Sequence, residues 1–105
     1  MTSFDQRENA FEAEYAHREE LKFKMRERAV ASLALWAAQR LGKASEAAEV
    51  YAREMVAVDV ADPRPDSLLE RIAADLRPVG VTQQEVRRAM EQFLAQAEVL
   101  LHAST

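Results

Sequence analysis

The sequence predicts an all-α protein, a four-helix bundle-like domain with an overlong N-terminal helix. Three observations predict it. Apolar residues recur at three- and four-residue spacing in four separate stretches. The 105 residues include only two Gly and three Pro, and all five fall between those stretches. The first stretch runs from Phe4 to Leu41 without a breaker, which at helical rise is about 57 Å. A compact domain of this size has a radius of gyration of only about 13 Å, so roughly the first 25 residues have little room in a core.

Helix one opens on a capping box, Ser3-Phe4-Asp5-Gln6, in which the hydroxyl and the glutamine can each satisfy an orphan amide. Its first half is charge-dense and carries three aromatics, Phe4, Phe11 and Tyr15. Spacings of seven and four return these to one narrow stripe. Its second half has a wider apolar face: Ala29, Leu33, Trp36, Ala37 and Leu41. Gly42 follows as a left-handed stop. The change of character near Ala29 divides the chain into an N-terminal partner-binding segment, residues 1–28, and a four-helix domain, residues 29–105, which includes the second half of helix one.

Ser45 is expected to cap helix two, whose apolar face is Ala48, Tyr51, Ala52, Met55 and Val56. That helix should end near Val60, because Asp62-Pro63-Arg64-Pro65-Asp66 cannot continue it. Asp66 is expected to cap helix three, with Leu68, Leu69, Ile72, Ala73 and Leu76 inward, and Pro78 stops it. Thr82-Gln83-Gln84-Glu85 is a second capping box, with Val81 poised to staple onto Val86. Helix four then shows Val86, Ala89, Met90, Phe93, Leu94, Ala97, Leu100 and Leu101 on one stripe. The short linkers favour antiparallel or steeply crossed neighbours.

Composition narrows the function. The formal net charge of −4 argues against a general nucleic-acid binder, which needs a basic surface to displace counterions. Cys is absent, which excludes disulfides, zinc–thiolate sites and thiol catalysis. No apolar run reaches the ~20 residues that span a bilayer, and Met1-Thr2-Ser3-Phe4-Asp5 lacks the regions of a secretory signal. The chain is therefore expected in the cytoplasm, without direct membrane insertion.

Each chemical motif has a plainer counterpart. Glu14 and His17 have the Glu-x-x-His spacing of di-iron bundles, but the motif occurs once, and those sites need it twice with two further carboxylates. No metal site is expected. His17 reads as an exposed histidine, with a pH-dependent contact as its alternative. Trp36 reads as a core residue whose indole N–H finds a partner, rather than a stacking platform for a base. Met25, Met55 and Met90 read as gap fillers. Helices three and four, joined through Gly80, have the outline of a helix-turn-helix. Arg87 and Arg88 lie near the start of helix four, but Glu85, Glu91 and Glu98 make it a poor phosphate-facing surface. No nucleophile–base set or Gly-rich phosphate loop is present, so the chain is expected not to be an enzyme.

A thin aromatic stripe with charges elsewhere is the pattern of either a surface helix or one that awaits a groove on a partner. The run Phe4-Asp5-Gln6-Arg7-Glu8-Asn9-Ala10-Phe11-Glu12-Ala13-Glu14-Tyr15-Ala16-His17, continuing through Glu20-Leu21-Lys22-Phe23-Lys24, resembles the start of the zeta subunit of alphaproteobacterial F-type ATPases. Leu35-Trp36-Ala37-Ala38 and Leu41-Gly42-Lys43 extend the resemblance, which is loose after Val60. It implies an inhibitor of ATP hydrolysis whose N-terminal segment inserts at a catalytic interface between the alpha and beta subunits and contacts gamma. The mode is like that of the mitochondrial inhibitor protein. The remaining helices would dock outside, on an enzyme peripheral to the inner membrane. Phe4, Phe11 and Tyr15 would be the anchors, Arg7, Glu8, Glu12 and Glu14 would pair with the groove walls, and Asp5 would also belong to the partner-binding set. The chain would be a monomer when free. No cofactor is expected, although some members have been linked to binding of ADP or ATP by the bundle. Glu14 and Arg18 depart from the family pattern, in which a basic and an acidic residue are common there. The alternatives are a helical regulatory or nucleotide-responsive module without inhibitory activity, and a helix-turn-helix DNA-binding protein.

Overall fold

Helix α1 spans Thr2–Arg40, α2 Ser45–Ala61, α3 Ser67–Leu76 and α4 Gln83–Ala103, with a 3₁₀ turn at Arg77–Val79 between the last two. The computed structural model describes residues 2–62 and 64–103, and the side chains of residues 9–62 and 64–102. All described secondary structure is helical, and the order and number of helices are those the sequence predicts. The molecule is elongated, 63 Å by 27 Å by 24 Å, with a radius of gyration of 17.3 Å. That exceeds the value of about 13 Å for a compact chain of this length, because α1 extends beyond the other helices.

Burial begins at Ala29. Every described residue of α1 from Asn9 to Glu20 is exposed, Leu21, Met25, Arg26 and Glu27 are half-buried, and Ala29 and Val30 are fully buried. From there Leu33, Ala34, Ala37 and Ala38 continue the buried face. Four of these six side chains are Ala, so neighbouring helices can approach α1 closely while Val30 and Leu33 supply bulk. The rest of the core comes from Met55 of α2, Leu68, Ile72 and Leu76 of α3, and Val86 and Met90 of α4. Helix α1 packs against each of the other three, and α3 bridges α2 and α4. Arg26 of α1 bonds Asp59 near the end of α2. Leu101 of α4 lies beside Lys24 and Arg28. Both α2 and α4 therefore run antiparallel to α1.

The ends of the helices follow the sequence in part. Gly42 is left-handed at φ 78°. Its amide donates to the Gln39 carbonyl at 3.1 Å, and the Lys43 amide donates to the Ala38 carbonyl at 2.9 Å. These two bonds satisfy orphan carbonyls in a Schellman motif. At α4 the Thr82 hydroxyl accepts from the Glu85 amide at 3.2 Å, and Val81 and Val86 are both buried. The Glu85 carboxylate makes no return bond among the described residues, so half of the capping box forms.

Five details differ from the sequence reading. Helix α1 begins at Thr2 rather than after Ser3, and the side chains of its capping box lie outside the described residues. Ser45 does not cap α2. Ala44 holds the extended position, and Ser45 is the first helical residue with a left-handed φ of 46°. The Ala44 carbonyl accepts from the Ala47 amide at 3.1 Å, so backbone alone closes this entry. Asp66 precedes α3 but has helical dihedrals and no side-chain capping bond. A cap needs an extended backbone to turn its oxygen onto the first amides, and the Asp66 carboxylate faces Arg87 of α4 at 3.5 Å instead. Leu100 is 49% exposed. The pair between Asp66 and Arg87 lies at the first turns of α4, whereas Val99 and Leu100 near its end are both exposed. Trp36 is half-buried rather than core, and the Arg40 guanidinium sits 5.0 Å from its ring centre.

Candidate functional site

Among the described residues, the ion pairs of the free-standing part of α1 lie within the helix itself. Arg18 donates to Glu14 at 2.9 Å, Lys22 to Glu19 at 3.3 Å, and Lys24 pairs with Glu20 at 3.1 Å. All three pairs join residues one turn apart, with the acidic partner nearer the N-terminus, the order that also suits the helix dipole. Exposed pairs of this kind add little to stability, because water and salt screen them. The bond from Lys24 holds the Glu20 carboxyl below its ordinary pKa. The pairs favour helix along this stretch without burying any of it.

The predicted anchors lie on this exposed stretch as far as it is described. Phe11 is 71% exposed and Tyr15 60%. Glu12 and Glu14 are exposed beside them, and Glu12 pairs with no described residue. Phe4, Asp5, Arg7 and Glu8 fall in the first turns of α1, and their side chains lie outside the described residues. Phe11 and Ala29 are eighteen residues apart, as are Tyr15 and Leu33. Eighteen residues are about five whole turns, so the aromatic stripe lies on the same face as the buried face of α1. In the second half of α1 that face is covered by the other helices. In the first half no described residue covers it. A desolvated groove of matching shape would gain the aromatic area that water now touches.

Two features beside the stripe escaped the sequence reading. Phe23 is 52% exposed and shares a shallow cavity with Arg26, Asp59, Val60 and Pro65. Arg26 donates to the Asp59 carboxylate at 2.8 Å from Nη2 and at 3.0 Å from Nε, and to the Pro65 carbonyl at 3.0 Å. A contact across this sequence distance leaves no local signature.

The remaining candidates are scattered. Glu14 and His17 are both exposed, and no group of three His, Cys, Asp or Glu able to hold a metal is present among the described residues. Near the base of α3 and α4 a cavity is lined by Glu70, Arg77, Gly80, Thr82 and Gln83, among others. Its one cation stands against one carboxylate, which gives a polyphosphate little net attraction. Arg87 of the helix-turn-helix outline is engaged with Asp66. No helix among the described residues is long and apolar enough to cross a membrane.

Among curated proteins and among solved structures no significant match to the chain was found. A family model, ATPase inhibitor subunit zeta, matches residues 1–99. That match spans the free-standing segment, the first three helices and α4 as far as residue 99. The chain therefore belongs to the ATPase inhibitor subunit zeta family.

Proposed function

We propose that this inhibitor acts through the free-standing part of α1, which inserts at an alpha/beta catalytic interface of the F-type ATPase and blocks ATP hydrolysis. Residues 1–28 are the inhibitory segment, and residues 29–105 form the domain that carries it. The observation that supports this most directly is the aromatic face of Phe11 and Tyr15, continuous with the core face of α1 and covered by no described residue. Such a face is a half-built core. A groove between two subunits completes it in the way that α2, α3 and α4 complete the other half. Phe4, Phe11 and Tyr15 anchor the segment in the groove. Asp5, Arg7, Glu8, Glu12 and Glu14 set its register, with gamma as a third contact, because rim charges govern orientation and encounter more than affinity. The protein does no chemistry of its own and works at the ATPase, on the cytoplasmic side of the membrane.

The test is an ATP hydrolysis assay on the cognate ATPase with and without the protein. Dose-dependent loss of hydrolysis supports the reading. Unchanged hydrolysis at saturating protein rejects it and leaves a helical binding module without inhibitory activity.

A further inference from the structure

We propose that Arg26 is a positioning residue for the inhibitory segment, its clamp on Asp59 and the Pro65 carbonyl setting where and in which direction α1 leaves the bundle. The inference rests on the inhibitory reading above.

The free helix needs such a device. Starting a helix is costly, with a nucleation constant of about 10⁻³, and residues 9–20 bury nothing that would offset it. The packed stretch from Ala29 onward is a ready-made nucleus from which helix can propagate toward the N-terminus. Arg26 extends that nucleus by about a turn. Among the described residues of α1 it is the first whose side chain bonds another element. Its Nε lies 3.2 and 3.0 Å from the two Asp59 oxygens, and its Nη2 lies 2.8 Å from Oδ1 and 3.0 Å from the Pro65 oxygen. One planar group thus holds both the last turns of α2 and the linker that follows.

A forked attachment fixes direction where a point charge would not. The Asp59 side chain is only 12% exposed and that of Arg26 32%, so water competes weakly for either. Arg26 also lies eleven residues on from Tyr15. That is about three turns, so clamp and anchor share a face. Fixing the rotation of α1 at Arg26 therefore fixes the direction in which Tyr15 and Phe11 point. Without the clamp the last secured turn lies at Ala29, and a smaller share of molecules presents the stripe in its binding geometry.

The experiment compares full-length wild type, Asp59→Asn and Arg26→Lys by amide hydrogen exchange on the free protein and by inhibition kinetics on the cognate ATPase. In Asp59→Asn, exchange over residues 18–28 should quicken about tenfold while Leu33 and Val86 stay unchanged. The onset of inhibition should slow about fivefold, since apparent affinity scales with the competent fraction. Release should be unaffected, because the bound stripe makes the same contacts. Arg26→Lys keeps the charge, loses the fork and should fall between. Far-ultraviolet circular dichroism at the assay temperature should show all three proteins fully folded. Three results overturn the proposal: onset equal to wild type, exchange over residues 18–28 equal to wild type, or a parallel rise at Leu33 that marks plain destabilisation. A wild-type protein that fails to inhibit overturns the inhibitory reading and this inference together. Inhibition by wild type with a silent Asp59→Asn overturns only the inference.

Discussion

Tyr15 and Leu33 occupy the same face of one helix, about five turns apart, yet Leu33 is fully buried and Tyr15 is 60% exposed. The same helix position therefore serves two purposes, set only by whether other helices reach it. At Leu33 the covering helices belong to the chain. At Tyr15 no described residue supplies cover.

This pair predicts opposite outcomes for one kind of substitution. Leu33→Ala should lower folding stability by about 2–5 kcal/mol, the range for a buried Leu that leaves a cavity. Tyr15→Ala and Phe11→Ala should change stability by less than about 0.5 kcal/mol, as exposed positions do. Each should weaken inhibition by about 2 kcal/mol of binding, a typical loss for a desolvated aromatic anchor. Neutralising Glu12 should cost less and act mainly on association. Urea melts and inhibition constants at two salt concentrations read both effects. A silent Phe11→Ala beside large charge effects would mean that the segment is captured by charge alone.

Deleting residues 1–15 should abolish inhibition and leave the domain intact. No described side chain before Leu21 is even half-buried, so the melting temperature should move by no more than about 3 °C. Calorimetry and the hydrolysis assay on the truncated protein check the two halves of this statement. Full inhibition by the truncated protein would move the inhibitory element out of its first fifteen residues.

The linker between α1 and α2 allows two substitutions of opposite sign. Gly42 is left-handed with open space around its missing Cβ, so Gly42→Ala meets only the backbone penalty, about 1 kcal/mol of destabilisation. Ser45 already bears that penalty at φ 46°, and no capping bond compensates it. Ser45→Gly should therefore stabilise the protein by about 0.5–1 kcal/mol. Paired denaturation curves decide it. If Ser45→Gly destabilises the protein, the hydroxyl makes a contribution that its geometry does not reveal.

Tyr51 ties α2 to α3 and should make the protein sensitive to alkali. Its hydroxyl donates to Asp75 at 2.8 Å. Burial first, and then the neighbouring Asp75 carboxylate, push its pKa well above the ordinary tyrosine value. The neutral phenol is thus favoured in the folded state. The resulting stability is fully present below the unfolded value of about 10 and is lost as pH rises from there toward the folded value. Stability measured from pH 8 to 11 should fall more steeply in wild type than in Tyr51→Phe. Identical slopes would mean that Tyr51 ionises no differently in the folded protein.

Much of the fold was legible because helices are local objects. The four stretches, the stops at Gly42 and Pro78, and the inward faces of α2 and α3 follow from spacing and from the conformations that Gly and Pro allow. The burial of Val81 and Val86 at the start of α4 was readable for the same reason. The aromatic stripe was visible as well, since Phe11 and Tyr15 are one turn apart.

What the sequence could not decide is what lies next to what. Arg26 meets Asp59 across 33 residues and Tyr51 meets Asp75 across 24, and no local pattern distinguishes these charges from the solvated ones around them. Asp66 and Ser45 have the residue types of caps, yet the path of the chain gives them dihedrals in which they do not cap. Leu100 continues an apolar stripe on α4 yet is half exposed. The sequence by itself determined where helices form and which of their faces are apolar, because those depend on neighbours within a few residues. Only the tertiary structure decided which apolar faces are satisfied, because burial depends on where distant helices end, and in α1 cover stops short of the face that carries Phe11 and Tyr15.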